Sequence, residues 1–122
     1  MKSPAKHIAV VAHSFGGVVT CNLVKTFFQF FNEKVFAIMF ADSIHQLEKD
    51  SSKTAKLLER IGLNYVASDL AVGTRIKDDY EAVPILSAGH PSHEWSSTSA
   101  FANLFQTMEE KLQSRIGNKG YV

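Results

Sequence analysis

Ser14 stands in the run Ala12-His13-Ser14-Phe15-Gly16-Gly17, directly after the β-branched stretch Ile8–Ala12 and directly before an apolar segment with helical spacing. A serine hydroxyl is a poor nucleophile at neutral pH unless a base takes its proton and a third group holds that base. Further along, Gly89-His90-Pro91-Ser92-His93 offers two bases, His90 and His93, while Asp42 and Asp69 each follow an apolar run and can orient one. The chemistry open to such a set is acyl transfer through serine attack on a carbonyl carbon. A-x-S-x-G is the alanine-first variant of G-x-S-x-G, a strand–turn–helix corner that lifts a serine above a parallel sheet, and Ser…Asp…His is the chain order that accompanies it. The bare motif is weakly specific. Its setting between a β-branched run and a helix, with acid and histidine at later run ends, makes it more so.

Small residues at the outer positions let strand and helix backbones approach at a sharp turn. The helix starting beside Ser14 would aim its free N–H groups and positive dipole end at negative charge developing there. A metal site would have to be drawn from His45, His90, His93 and Asp42. His90-x-x-His93 lies in a Gly/Pro loop without the i, i+4 spacing of zinc peptidases. Neither a metal nor a cofactor is therefore expected.

These residues need elements to hold them. Ile8–Ala12 reads as a strand buried on both faces of a parallel sheet. Phe15–Phe31 reads as one helix, with Val19, Leu23, Phe27, Phe30 and Phe31 on one side and Val18, Val24 and Phe28 on another, so two neighbours should bury it. Val35–Ala41 is a second buried strand closed by Asp42-Ser43. Asp50-Ser51-Ser52 supplies N-caps for a helix through about Ile61, with Gly62 as its stop. Asn64–Ala67 is a short strand, Ser68–Ala82 a long loop, and Val83–Ser87 a fourth strand. Ser96–Ser99 caps a last helix with Phe101, Leu104, Phe105, Met108 and Leu112 on one face, and Gly117 should end it. The alternation predicts an α/β fold of about four parallel strands with helices on both faces. Ligands in such sheets bind at the carboxyl ends of the strands, where Ser14, Asp42, Ser68-Asp69 and Gly89–His93 would gather.

The 122 residues make one domain by length and can bury roughly two-thirds of their unfolded surface. We expect an N-terminal tail over 1–7, the domain over 8–117 and a C-terminal tail over 118–122. A formal net charge of +1 with scattered lysines and arginines leaves no footprint for direct nucleic-acid binding. The nearest thing to a basic cluster, Lys111, Arg115 and Lys119, reads as a solvated helix end. Cys21, alone, excludes an internal disulfide and reads as a small buried hydrophobe. No signal sequence or spanning apolar run is present, so the expected setting is nuclear or cytoplasmic, without a membrane.

Three blocks in order, Val11–Gly17, Val35-Phe36-Ala37…Phe40–His45 and Leu86-Ser87-Ala88-Gly89…His93-Glu94, resemble the Arb-two (argonaute-binding protein two) domain of the cotranscriptional regulators. The likeness runs from about Ile8 to the last helix and covers only the C-terminal half of that domain. It implies a partial α/β-hydrolase-like fold in nuclear RNA biology: Argonaute association, small-RNA-linked silencing, and effects on chromatin and splicing. A related domain is appended to some fungal histone deacetylases. By position, Ser14 matches the family's serine turn, Asp42 its F-x-D-S aspartate and His93 its S-A-G-x-x-x-H histidine, which sets Asp69 and His90 aside as alternatives.

The segments that precede this stretch in the family are not among these 122 residues. The loop that supplies a second oxyanion donor is thus expected to be absent, at a cost of about 3 kcal/mol of transition-state stabilisation. Ile8–Ala12 is expected to be an exposed apolar edge, open to self-association. The leading expectation is a non-catalytic binding module in Argonaute-linked gene regulation, one that need not function as an isolated chain. The competing one is a serine hydrolase of esters or thioesters, using Ser14, His93 and Asp42. A fold can be kept for binding alone.

Overall fold

A computed structural model describes residues 4–43 and 47–119. The elements run β1 (Ile8–His13), α1 (Gly16–Thr26), α2 (Phe28–Lys34), β2 (Val35–Ala41), α3 (Lys53–Ile61), β3 (Gly62–Val66), β4 (Arg75–Ile76), β5 (Ile85–Ser87), a 3₁₀ turn (His93–Trp95) and α4 (Ser96–Lys119). They build a five-stranded sheet in the order β1-β2-β3-β5-β4. β1, β2, β3 and β5 run parallel to one another. β4 pairs antiparallel with β5 through Arg75–Leu86 and Ile76–Ile85. The architecture is α/β and mostly parallel, with one strand more than the four expected. β4 falls inside the segment read as loop, because two residues are too few to show a period.

β2 is the hub. Ala37, Ile38, Met39, Phe40 and Ala41 are wholly buried, and their alternation feeds two cores. Ile38 and Phe40 join Cys21 and Val24 of α1, Phe31 of α2, and Leu57, Leu58 and Ile61 of α3. Ala37 and Met39 join Tyr65 of β3 and Ala100 and Leu104 of α4. Helices thus cover both faces, three on one and α4 on the other. α3 has only nine residues and is too short to persist alone in water. Its three large apolar side chains, each contributing about 1.5–3 kcal/mol when fully buried, hold it in place. Its N-terminus is capped as the sequence predicts: Ser52 Oγ accepts from Ala55 N at 3.1 Å, and Asp50 Oδ1 accepts from Ser52 N at 2.8 Å.

Four expectations differ. The Phe15–Phe31 helix is two helices, broken at Phe27 (φ −117°, ψ 44°). A straight continuation would place Phe31 one turn beyond the exposed Phe27 on nearly the same side; the break turns it into the core instead. Nor is α1 buried all round, since Val19 (50% exposed), Leu23 and Phe27 face outward. Gly62 does end α3, after Ile61 as expected, but in extended rather than left-handed backbone: its φ of −95° opens β3. A Cβ there would meet Leu58 O at 2.7 Å, so the glycine serves a close approach. Gly117 does not stop α4, which runs on to Lys119.

β1 is the edge strand, as the apolar-edge expectation has it, with Val11 53% exposed. No helix among the described residues is long and apolar enough to cross a membrane.

Candidate active site

At the end of β1 the chain turns sharply into α1, and Ser14 sits at the corner with φ 54°, a left-handed conformation that is strained for serine. Two contacts to the neighbouring strand end hold the corner. Ser14 N donates to Ala41 O at 3.1 Å, and Ser43 Oγ donates to Ala12 O at 3.0 Å. Gly17 N donates back to Ser14 O and Val18 N to Phe15 O. The amide of Phe15, at the head of α1, has no backbone partner among the described residues. A Cβ on Gly16 would lie 3.8 Å from the Ala12 Cβ, an ordinary contact, so the corner has room for one more methyl group.

His93 begins the 3₁₀ turn that leads into α4. Its carbonyl accepts from Ser96 Oγ at 3.0 Å, so the first residue of α4 fixes the histidine backbone. The ring reaches back across the strand ends, with Nε2 3.1 Å from Ser14 Oγ. Nδ1 is hydrogen-bonded to Asp42 Oδ2. Asp42 directly follows β2 and is itself left-handed, φ 43°. Its Oδ1 accepts from Ala67 N at 3.1 Å, and its own amide donates to Tyr65 O at 2.6 Å. The carboxylate is thus fixed at both oxygens. With Nδ1 facing a carboxylate, the proton belongs on Nδ1, and Nε2 is left to accept from the serine hydroxyl. Serine, histidine and aspartate are linked in the sequence a nucleophile needs. The His93 side chain is 48% exposed, so the set is open to a substrate from solvent.

The alternatives lie elsewhere in the loops. Asp69 is exposed and makes no hydrogen bond among the described residues. His90 is a brace: its Nδ1 accepts from Ser92 N at 3.0 Å, and its carbonyl accepts from Ser68 N at 2.9 Å. His45 lies outside the described residues. Among those residues, no group of three or more His, Cys, Asp or Glu could hold a metal ion. Cys21 is buried on α1, and burial pushes its thiol up to about 11.

Two contributors escape sequence reasoning. The His13 ring stacks on His93, centroids 5.0 Å apart and 23° between planes, and so limits how the base can turn. Asn64, buried in β3, accepts from Ser43 N at 3.3 Å and donates to Ser43 O at 3.2 Å. It clamps the residue after Asp42 from both sides. A polar residue opening the apolar stretch Asn64–Ala67 was the available signal, and His13 was visible inside the serine motif itself.

No family model matches the chain, and no solved structure matches it significantly. Curated relatives do. The cotranscriptional regulator ARB2A homolog of Dictyostelium discoideum is 36% identical over 116 residues, covering 92% of this chain and 30% of that protein. The Xenopus tropicalis homolog is 31% identical over 93% of this chain and 28% of its own. Human cotranscriptional regulator ARB2A is 27% identical over 96% of this chain and 29% of its own. The chain spans less than a third of the length of these relatives. With that likeness along nearly its whole length, the chain belongs to the cotranscriptional regulator family.

Proposed function

We propose that this chain carries a serine-hydrolase site of the α/β-hydrolase type, with Ser14 as nucleophile, His93 as general base and Asp42 as the group that orients it. The observation behind the reading is the unbroken run of hydrogen bonds from Ser14 Oγ to His93 Nε2 and from His93 Nδ1 to Asp42. The substrate class is an ester or thioester. Ser14 Oγ attacks the acyl carbon while its proton moves to His93 Nε2. The Phe15 amide and the head of α1 face the oxyanion, and His93 returns the proton to the leaving alcohol or thiol. Water, deprotonated by the same imidazole, then releases the acyl group. Phe15 and Trp95, 68% and 56% exposed, flank the site in sequence and favour an apolar acyl portion. A fluorophosphonate probe should label the wild-type chain and leave Ser14→Ala unlabelled. No labelling of wild type, or equal labelling of both, sinks the catalytic reading.

The relatives' printed name supports a second reading: the chain acts in cotranscriptional regulation, linked to the nucleus, and the domain serves as a binding module. Argonaute association, silencing and splicing are the partners and processes implied by the Arb-two resemblance. Capture of Argonaute from nuclear extract by the chain, above an unrelated hydrolase as control, tests this reading. Absence of enrichment removes it. The two readings are compatible, since Ser14→Ala should abolish labelling without changing capture.

A further inference from the structure

Away from Ser14, a cleft of about 640 Å³ opens where β2 and β3 begin, beneath the C-terminal half of α4. Along β2 it lies about 20 Å from the Asp42 end. Arg60 at the end of α3 and Lys111 and Arg115 on α4 line it, against one carboxylate, Glu33. That carboxylate is turned toward Gln29, whose Nε2 donates to it at 2.6 Å. Lys111 and Arg115, read from the sequence as a solvated helix end, are half-buried here.

Some of this charge caps helix ends. Lys111 Nζ donates to Arg60 O at 3.4 Å, and the Arg115 guanidinium donates to Glu33 O. Arg60 also donates to Asn32 Oδ1 at 3.2 Å, and each of these bonds uses one donor of its side chain. Among the described residues, Lys111 keeps two N–H groups and the buried Arg115 Nε has no partner. Burial, and then the neighbouring Arg60, push the Lys111 ammonium pKa down. An anion would offset both effects. Phe36 and Ile61 give the cleft an apolar wall beside the cations, and its volume exceeds what a bare inorganic anion fills.

We infer that this cleft binds a phosphomonoester with an apolar body, its phosphate on Lys111, Arg115 and Arg60 and its body against Phe36 and Ile61. It is a second site, separate from the serine and independent of the hydrolase reading.

Calorimetric titration of the 122-residue chain with phenyl phosphate, inorganic phosphate and phenol tests the proposal. Phenyl phosphate should bind, inorganic phosphate about tenfold more weakly, and phenol not measurably. Lys111→Gln should weaken phenyl phosphate by at least about tenfold, the scale of one charge-assisted hydrogen bond. Arg115→Lys keeps the charge but removes the planar guanidinium that can hold a phosphate with two donors, and should weaken it to a similar degree. Thermal melts establish that each variant folds, and if Lys111→Gln does not, Arg115→Lys decides. No binding of phenyl phosphate at millimolar concentration, or unchanged affinity in the folded variants, overturns the site. Equal affinity for phosphate and phenyl phosphate overturns the apolar part of the ligand.

Discussion

Replacing Asp42 by asparagine keeps size and shape but changes what each atom can offer. In the native chain Oδ1 accepts from Ala67 N at 3.1 Å, and Oδ2 faces His93 Nδ1. An asparagine has one acceptor and one donor end. If its NH₂ faces Ala67 N, two donors collide and the loop after β3 loses a bond. The remaining orientation puts the oxygen on Ala67 N and the NH₂ on His93 Nδ1. His93 must then carry its proton on Nε2, where it donates to Ser14 Oγ instead of accepting from it. The base is lost while the fold persists. Inverting the tautomer in this way costs about 10⁴-fold in a serine–histidine–aspartate site, or about 5.5 kcal/mol at the transition state. The assay is the second-order rate of fluorophosphonate labelling at neutral pH for wild type and Asp42→Asn. Nitrogen-15 NMR of the imidazole gives a readout that needs no activity: wild type should show the Nδ1–H tautomer of His93, and Asp42→Asn the Nε2–H tautomer. Labelling within about tenfold of wild type, or an unchanged tautomer, refutes the reasoning.

Gly62→Ala would set a Cβ 2.7 Å from Leu58 O and 3.3 Å from a Val83 methyl, both at the α3–β3 junction; overpacking of this kind should lower stability by about 1–3 kcal/mol in chemical denaturation. Val11→Lys places a charge on the exposed edge strand, so a mass that rises with concentration in sedimentation equilibrium for wild type should stay monomeric in the variant. Cys21, with its thiol pushed up to about 11 from 9.0, is protonated in the fold where the unfolded chain has ionised. The unfolded state then holds fewer protons, and stability should fall as pH rises from 9 toward 11. Cys21→Ser should flatten that decline in pH-dependent melts.

The serine corner was legible because three independent signals coincide there: a β-branched run, small residues around a serine, and helical spacing directly after. Asp42 and His93 were legible as members of a short set, since each follows a readable strand. Choosing them over Asp69 and His90 needed the family resemblance, because strand-end position alone does not say which way a side chain turns. What stayed hidden depends on contacts distant in sequence. Phe27 breaks its helix because Phe31 has a place in the core under β2, and no local pattern records that place. The outward stripe of Val19, Leu23 and Phe27 has the same i, i+4 spacing as a buried one. The role of Asn64 requires knowing that β3 lies beside β2, so that its amide meets Ser43.

An edge position for β1 is compatible with a well-placed nucleophile, because the corner is braced from one side only. Ser14 N on Ala41 O and Ser43 Oγ on Ala12 O both tie the end of β1 to β2. β2 is in turn the most buried strand, and Asn64 and the Ala67 amide lock the residues that follow it. Aspartate and histidine are likewise supplied by the end of β2 and by the loop after β5. All three members therefore take their geometry from the covered part of the sheet. A further strand beside β1 would leave those distances as they are and would shield Val11 from water. Under the proposed hydrolase reading, a loop leading from such a strand would add a second oxyanion donor beside the Phe15 amide, worth about 3 kcal/mol at the transition state. Ser14 in this chain should therefore be reactive toward a fluorophosphonate, whose phosphorus is strongly electrophilic, and slow toward an unactivated ester.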